Sequence, residues 1–302
     1  MVKTIVFFLV ERLVKLHLLS SIQVARLKFF YKMHRWPDFE HPKDVNEKIN
    51  WLKFYGDTSM WSTFADKYAV RDYVKSVGLG DILVPLIGKW DSVDDINWDQ
   101  LPNQFVMKCN NGSGDVVVCK DKTKLDIIKT KKHFEKLIHE KLSIVSGEPH
   151  YAAIKPCIIA EELLDNSTQP CNSTSLVDYK IFVFNGVPKF IWCTYNRKGY
   201  YAEVGTYDLN WQFHPEWSIY TKHYMRPKQE LPKPKCFDYL IDVAKKLGKG
   251  QPLVRIDLYI VNDKVYFGEM TMTSQGGYMD YYTQDFLDKM GSLVVLPNKK
   301  TT

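Results

Sequence analysis

In the segment Leu253 to Ile260, period-two alternation sends Val254, Ile256, Leu258 and Ile260 to one face and Arg255, Asp257 and Tyr259 to the other. An arginine and an aspartate two apart on an otherwise apolar strand are costly to bury unless they are paired or bound to an ion. In the next apolar run, Tyr266 to Met270, Glu269 stands in a similar setting. Two carboxylates and a guanidinium that converge would suit Mg²⁺ beside a phosphate. The alternative is a structural ion pair of Arg255 with Asp257 or with Glu269. Register decides whether the groups meet, because a one-residue slip moves a side chain to the other face. If Val261 pairs with Val265 and Asn262, Asp263 and Lys264 form the turn, Asp257 faces Glu269 and Arg255 faces Thr271. A two-residue turn would put Glu269 on the wrong face. The pattern therefore predicts an odd-numbered turn or a bulge.

A second constellation is Lys108 followed by Gly112-Ser113-Gly114. Unhindered backbone N–H groups in such a turn can fold over phosphate oxygens while the lysine adds charge. By itself this pattern is more often a plain turn. Lys67 upstream and the acidic pair Glu161-Glu162 at the end of a strand downstream give it more weight.

The elements that must position these residues intermix helices and strands in an α+β pattern, with no GxGxxG entry into a parallel sheet. A helical lead-in runs to Met33, a Pro-punctuated connection spans His34 to Pro42, and a short helix follows through Asn46, Ile49, Trp51 and Leu52. Apolar residues at helical spacing predict one helix from Phe64 to Val77, with Gly78 beyond its end. Phe105 to Lys108 and Val116 to Lys120 read as strands around the glycine-rich turn, and a long polar helix follows. Cys157 to Glu161 reads as a buried strand. Asp178 to Phe184, Asn185-Gly186 and Val187 to Cys193 form the best hairpin signal, since Asn-Gly supplies the positive φ angles of a type I′ turn. Tyr195 to Pro234 reads as irregular, and a helix from Cys236 to Leu247 leads into the charged strand.

Residues 1–60 are expected to form an N-terminal helical extension. Residues 61–302 are expected to form the main domain, divided into 61–165 with the glycine loop and 166–302 with the metal site. A chain of 302 residues can bury a substantial core without disulfides. The six cysteines form no CxxC pair and no metal-ligand spacing, which fits reduced thiols in a cytoplasmic protein. The net charge of +6 favours anionic partners, but the lysines are spread rather than clustered, which argues against nucleic acid. Thr4 to Val10 is too short to span a bilayer and lacks a small-residue cleavage site. The basic, amphipathic pattern that continues to Lys32 suits helices that touch the inner face of a membrane or pack on the main body.

Taken in order, Asp66-Lys67, Phe105 to Lys108 with its glycine loop, Ile158 to Leu164, Arg255-Ile256-Asp257 and Gly268 to Thr271 resemble the ATP-grasp superfamily. Asn46 to Trp51, Asp66 to Arg71, Asp178-Tyr179-Lys180 and Phe267 to Thr271 look like its TupA-like branch, associated with teichuronopeptide and other bacterial surface polymers. The resemblance implies an ATP-grasp fold in which two α+β subdomains grip ATP. It implies that Lys67 and Lys108 contact ATP, that Gly112, Ser113 and Gly114 close over the phosphates, and that Glu161, Glu162, Leu163 and Leu164 form the adenine hinge. Asp178 would be a ribose or polar-site ligand and Lys180 a further phosphate contact. Asp257 and Glu269, with Thr271 where the superfamily usually has Asn, would hold Mg²⁺. Arg255 would stabilise charge in the reaction, and Ser274, Gln275, Gly276 and Gly277 would form a substrate loop.

The implied activity is an ATP-dependent carboxylate–amine ligase that makes an amide through an acyl phosphate. It would join an amino acid or amine to a uronic acid of a surface polysaccharide or a lipid-linked sugar precursor. The rival readings are a glycosyltransferase of polysaccharide biosynthesis and a non-catalytic nucleotide-binding assembly factor.

Overall fold

The computed structural model describes residues 19–112, 116–139 and 147–300. Helix α1 (Ser21–Met33) begins at Ser20, whose side chain and that of Gln23 form a reciprocal capping box. Helix α2 (Val45–Tyr55) is capped by Asp44, which accepts from the Glu47 N–H at 2.8 Å. The single helix expected from Phe64 to Val77 is two, α3 (Trp61–Ala65) and α4 (Val70–Ser76). Asp66 breaks it, because its carboxylate accepts from the N–H groups of Tyr68 and Ala69 and offers the backbone a turn in place of the helix. Gly78 follows α4 with φ +77°, as its position predicts.

Four strands form a small antiparallel sheet in the order β1-β4-β2-β3: β1 (Leu86–Trp90), β2 (Phe105–Cys109), β3 (Val116–Cys119) and β4 (Ile158–Glu161). Helix α5 (Ile127–His139) covers it through Phe134 and Leu137, and both join a cluster with Phe105, Met107 and Ile158.

The larger sheet has the order β10-β9-β5-β6-β7-β8. Its strands are β5 (Asp178–Phe184), β6 (Val187–Lys198), β7 (Tyr201–Asp208), β8 (Tyr224–Met225), β9 (Leu253–Val261) and β10 (Lys264–Thr271). The hairpin at Asn185-Gly186 has φ values of 49° and 77°, the positive values its sequence predicts. The region from Tyr195 onward, expected to be irregular, instead prolongs β6 to Lys198 and supplies β7 and β8. Helix α6 (Phe237–Leu247) lays Phe237, Leu240, Val243, Ala244 and Leu247 against the sheet, a face at three- and four-residue spacing. Helix α7 (Gln284–Leu293) packs beside α2, and Val45, Ile49, Trp51 and Leu52 of α2 share one apolar cluster with the large sheet.

The turn between β9 and β10 differs from the three residues expected. Lys264 pairs with Val261, so only Asn262 and Asp263 turn, with φ of 51° and 61°. A bulge between Phe267 and Glu269 then corrects the register and restores the pairs Glu269–Asp257 and Thr271–Arg255. Glycine permits the bulge: a Cβ on Gly268 would stand 2.9 Å from the Asp257 carbonyl oxygen.

Candidate functional site

One face of the large sheet carries a row of residues opposite one another on four neighbouring strands: Glu269 on β10, Asp257 on β9, Lys180 on β5 and Trp192 on β6. All four line a cavity of about 890 Å³ bounded by both sheets and α1. The row exists because each strand alternates, sending Tyr179, Ile181 and Val183 into the core cluster and Asp178 and Lys180 to the cavity.

The charges interlock. Arg255 donates to both Asp257 oxygens, Nε at 2.6 Å and Nη2 at 2.7 Å, and its Nη2 also reaches Glu269 at 3.1 Å and the Thr271 hydroxyl at 3.0 Å. Lys180 Nζ donates to Asp257 at 2.6 Å and to Asp178 on its own strand. The ion-pair reading of Arg255 is met with both Asp257 and Glu269, and the pairs form at the cavity wall rather than in closed core. Burial works against every charge here, but Asp257 and Glu269 outweigh it and raise Arg255. Burial would likewise raise the Glu269 carboxyl, yet Lys67, Arg255 and Lys180 hold it at about 2. At Asp178 burial prevails and raises the carboxyl, and its Oδ1 is buried without a hydrogen-bond partner.

The facing wall comes from the small sheet and α3–α4. Lys108 Nζ lies 2.6 Å from Glu161, diagonally across the β2–β4 pair, and Arg71 Nη1 meets the other Glu161 oxygen at 2.8 Å. Lys67, set just past the Asp66 turn, donates to the Gly112 carbonyl and lines the cavity with Lys108 and Gly112. Burial lowers the Lys67 ammonium, partly offset by Glu269. Ser113 and Gly114 lie outside the described residues.

The structure thus brings Lys67, Lys108, Gly112, Asp178, Lys180, Arg255, Asp257, Glu269, Thr271, Gln275 and Gly276 to one cavity. Glu161 stands behind Lys108, the Glu162 N–H donates to the Pro85 carbonyl at 3.0 Å, and residues 161–164 are not among the cavity's lining. Ser274 is buried, and Gly277 abuts Asn50 and Ile49 of α2. Sequence reasoning missed Glu148, Trp192, Arg197, Tyr224 and Tyr281 in the lining, and Lys28, Tyr31 and Lys32 of α1. The α1 trio carried a signal in its helical spacing, whereas the others stood in stretches with no motif.

For a magnesium ion, Asp257 and Glu269 offer hard oxygen donors on opposed strands, with the Thr271 hydroxyl 2.7 Å from Glu269 Oε1. Among the described residues no group of three His, Cys, Asp or Glu side chains is placed to hold a metal. Two carboxylates are nevertheless a fitting protein share for Mg²⁺, which takes its remaining ligands from phosphates and water. Glu269, which burial would raise but Lys67, Arg255 and Lys180 hold low, stays a charged oxygen donor that lines the cavity with Asp257.

Two α+β layers that enclose a cationic cavity, with paired carboxylates on the larger sheet, define the ATP-grasp fold. The TupA-like ATPgrasp family model matches residues 47–295, and the chain belongs to that family. No curated protein sequence matches it. Solved structures that resemble it include D-alanine–D-alanine ligase from Bacillus anthracis complexed with ATP, at 14% identity over 70% of this chain and 54% of that one, TM-score 0.38. Another is D-alanine–D-alanine ligase from Helicobacter pylori, at 15% identity over 85% of this chain and 68% of that one, TM-score 0.44. A third is D-cycloserine synthetase DcsG, at 12% identity over 78% of this chain and 71% of that one, TM-score 0.44. The chain therefore spans only about half the length of the first of these.

Proposed function

We propose that the protein is a MgATP-dependent carboxylate–amine ligase. A carboxylate oxygen of one substrate attacks the γ-phosphorus of ATP, ADP leaves, and an acyl phosphate forms. An amine then attacks the acyl carbon, phosphate leaves, and an amide remains, with the amine proton passed to solvent or to the departing phosphate. The observation that supports this best is the Glu269–Asp257–Lys180 row with Arg255 bonded to both carboxylates, a patch of alternating charge facing Lys67 and Lys108. Lys67 and Lys108 would take phosphate oxygens, and Arg255 and Lys180 would neutralise charge on the transferred group. Mg²⁺, held by Asp257 and Glu269, would supply further neutralisation of the phosphates.

The activated carboxylate is proposed to belong to a uronic or similar acid of a bacterial surface or capsular polysaccharide or its lipid-linked precursor, and the amine to an amino acid. Trp192 and Tyr281, stacked on each other at 4.5 Å and both buried, with the half-buried Tyr224 edge-on to both, give the cavity an aromatic wall beside which a sugar ring would sit. The proposed place of action is the cytoplasm, with peripheral contact to the inner face of the membrane. No helix among the described residues is long and apolar enough to cross a membrane.

Calorimetric titration of ATP with and without Mg²⁺ tests the nucleotide site. Binding should tighten with Mg²⁺ and weaken strongly in the Lys108→Ala/Asp257→Ala double variant. Tight MgATP binding unchanged in that variant would sink the assignment.

A further inference from the structure

Where β6, β7 and β8 meet, the cavity has a part of its wall that the reaction just described does not use. Strand β6 carries a bulge there: Tyr195 pairs with Glu203 and Lys198 with Tyr201, so Asn196 and Arg197 together stand opposite Ala202. The loop before β5 pins the bulge. Asn196, at φ +49°, donates its N–H to Ser173 Oγ at 3.0 Å, and its Oδ1 accepts from the Thr174 N–H at 3.1 Å. The extra residue brings Arg197 to the face that Trp192 occupies, and Arg197, Gly199 and Tyr224 line the cavity with it. From that lining an aromatic ladder runs outward. The Tyr224 ring stands edge-on to Trp192 at 5.1 Å and to Tyr281 at 5.2 Å, His223 lies 4.0 Å from Tyr224, and Tyr200 lies 4.1 Å from His223. Backbone contacts fix it, since His223 Nδ1 donates to the Tyr200 carbonyl and the Ala202 N–H donates to the His223 carbonyl at 3.0 Å. Exposure rises along the ladder, from 3% at Trp192 and Tyr281 to 68% at Tyr200. A tyrosine so exposed, joined ring by ring to a cavity, differs from the apolar residues scattered over any surface.

Charge on this surface is predominantly positive. Arg197 and Lys198 on one segment, and Lys222, Arg226 and Lys228 on the other, are exposed, and among the described residues none of them meets a carboxylate at ion-pair distance. Within residues 196–203 and 221–228 the carboxylate is Glu203, which is buried and accepts from the Lys228 N–H at 3.1 Å. Asp280, whose charge reaches Tyr224, is paired with Lys32 at 3.1 Å. With the exposed Glu230 counted, cations remain in excess. Burial raises the Tyr224 hydroxyl and Arg197 opposes the shift, which sets the guanidinium beside the ladder.

We propose that Tyr200, His223 and Tyr224, with Arg197 and the cations around them, form a track for the acceptor's own chain, so that the acceptor is an acidic oligosaccharide rather than a single sugar. The proposal rests on the ligase reading and deepens it. One sugar acid presents its carboxylate at Arg255, and the sugars that follow leave the cavity along the ladder. A sugar ring has a flat C–H face that packs on an exposed aromatic ring, and its carboxylate pairs with a guanidinium or ammonium group. Single-stranded nucleic acid also uses aromatic rings beside cations. Continuity of the track with the cavity proposed for a sugar acid favours the saccharide.

Calorimetry on the full chain saturated with Mg²⁺ and a non-hydrolysable ATP analogue tests this. The probes are trigalacturonic acid beside galacturonic acid, a hyaluronan hexasaccharide beside glucuronic acid, neutral maltohexaose, and decathymidylate. At least one acidic oligosaccharide should bind about tenfold or more tighter than its own monosaccharide, as expected for added charge-assisted contacts. Tyr200→Ala should cut that gain about fivefold or more, the loss of an exposed aromatic anchor, while Tyr200→Phe, which keeps the ring, should retain it. Neither Tyr200 variant should change the affinity for the analogue. Arg197→Gln should reduce the gain as well. No gain for either acidic oligosaccharide, an equal affinity for maltohexaose or decathymidylate, or a full gain in Tyr200→Ala overturns the track. Failure of the analogue itself to bind overturns the ligase reading instead, a distinct result.

Discussion

The two sheets that face each other across the cavity carry opposite charge imbalances. On the small-sheet side Glu161 is shared between Arg71 and Lys108, and Lys67 beside them donates to a carbonyl, so among the described residues of this cluster cations exceed carboxylates. In the cluster on β5, β9 and β10 of the large sheet, Asp178, Asp257 and Glu269 surround Lys180 and Arg255, so carboxylates exceed cations there, with Arg197 farther along β6. A wall with surplus positive charge suits phosphate oxygens, and one with surplus negative charge suits a divalent cation between itself and those phosphates. The comparison teaches that neither sheet holds a complete site. On the function proposed above each is half of one, and MgATP would be the piece that balances both.

The largest effect that could break this comparison is expected on the large sheet. Glu269→Gln keeps the shape and removes the charge, so ADP release should fall roughly 10²–10³-fold, while metal-free nucleotide binding changes little. Near-normal turnover would mean that the surplus negative charge is structural only. On the small sheet Lys108→Ala should raise the KM for ATP by about tenfold or more, from loss of a charge-assisted contact worth about 1.5–3 kcal/mol, with a smaller change in kcat. A kcat loss equal to that of Glu269→Gln would erase the distinction between the two walls. The smallest effect tests the device that aligns the carboxylates. Gly268→Ala presses a methyl against the Asp257 carbonyl and should cost about 1 kcal/mol in urea unfolding, the low end for overpacking. An unchanged midpoint would show that the bulge tolerates a side chain.

Much of the fold was legible because the signals were local. The Asn185-Gly186 hairpin, the α6 stripe, the strands around the glycine turn and the charged strand β9 each follow from the spacing of neighbouring residues. The failures have equally local causes. Asp66 can satisfy two backbone N–H groups with its side chain, which ended a helix that apolar periodicity alone would have continued. Strand β7 (Tyr201–Asp208) was hidden because it is buried on both faces from Ala202 to Tyr207 and mixes Glu203, Gly205 and Thr206 with apolar residues, so its sequence shows no clean apolar alternation.

The amino-acid sequence by itself determined the inventory of the proposed reaction centre, since charged residues in apolar strands stand out wherever those strands lie. Arg255, Asp257, Glu269, Lys108 and Lys67 needed no coordinates to be singled out. What only the tertiary structure decided was how those residues meet. The register of β10 depends on a two-residue turn and a bulge whose effects cancel, and no single-strand pattern encodes that cancellation. The partnership of Glu161 with Lys108 and Arg71, and the place of α1 at the cavity, arise between segments far apart in the chain. Such contacts are selected by the packing of whole elements, which is why spacing along the chain could name the participants but not bring them together.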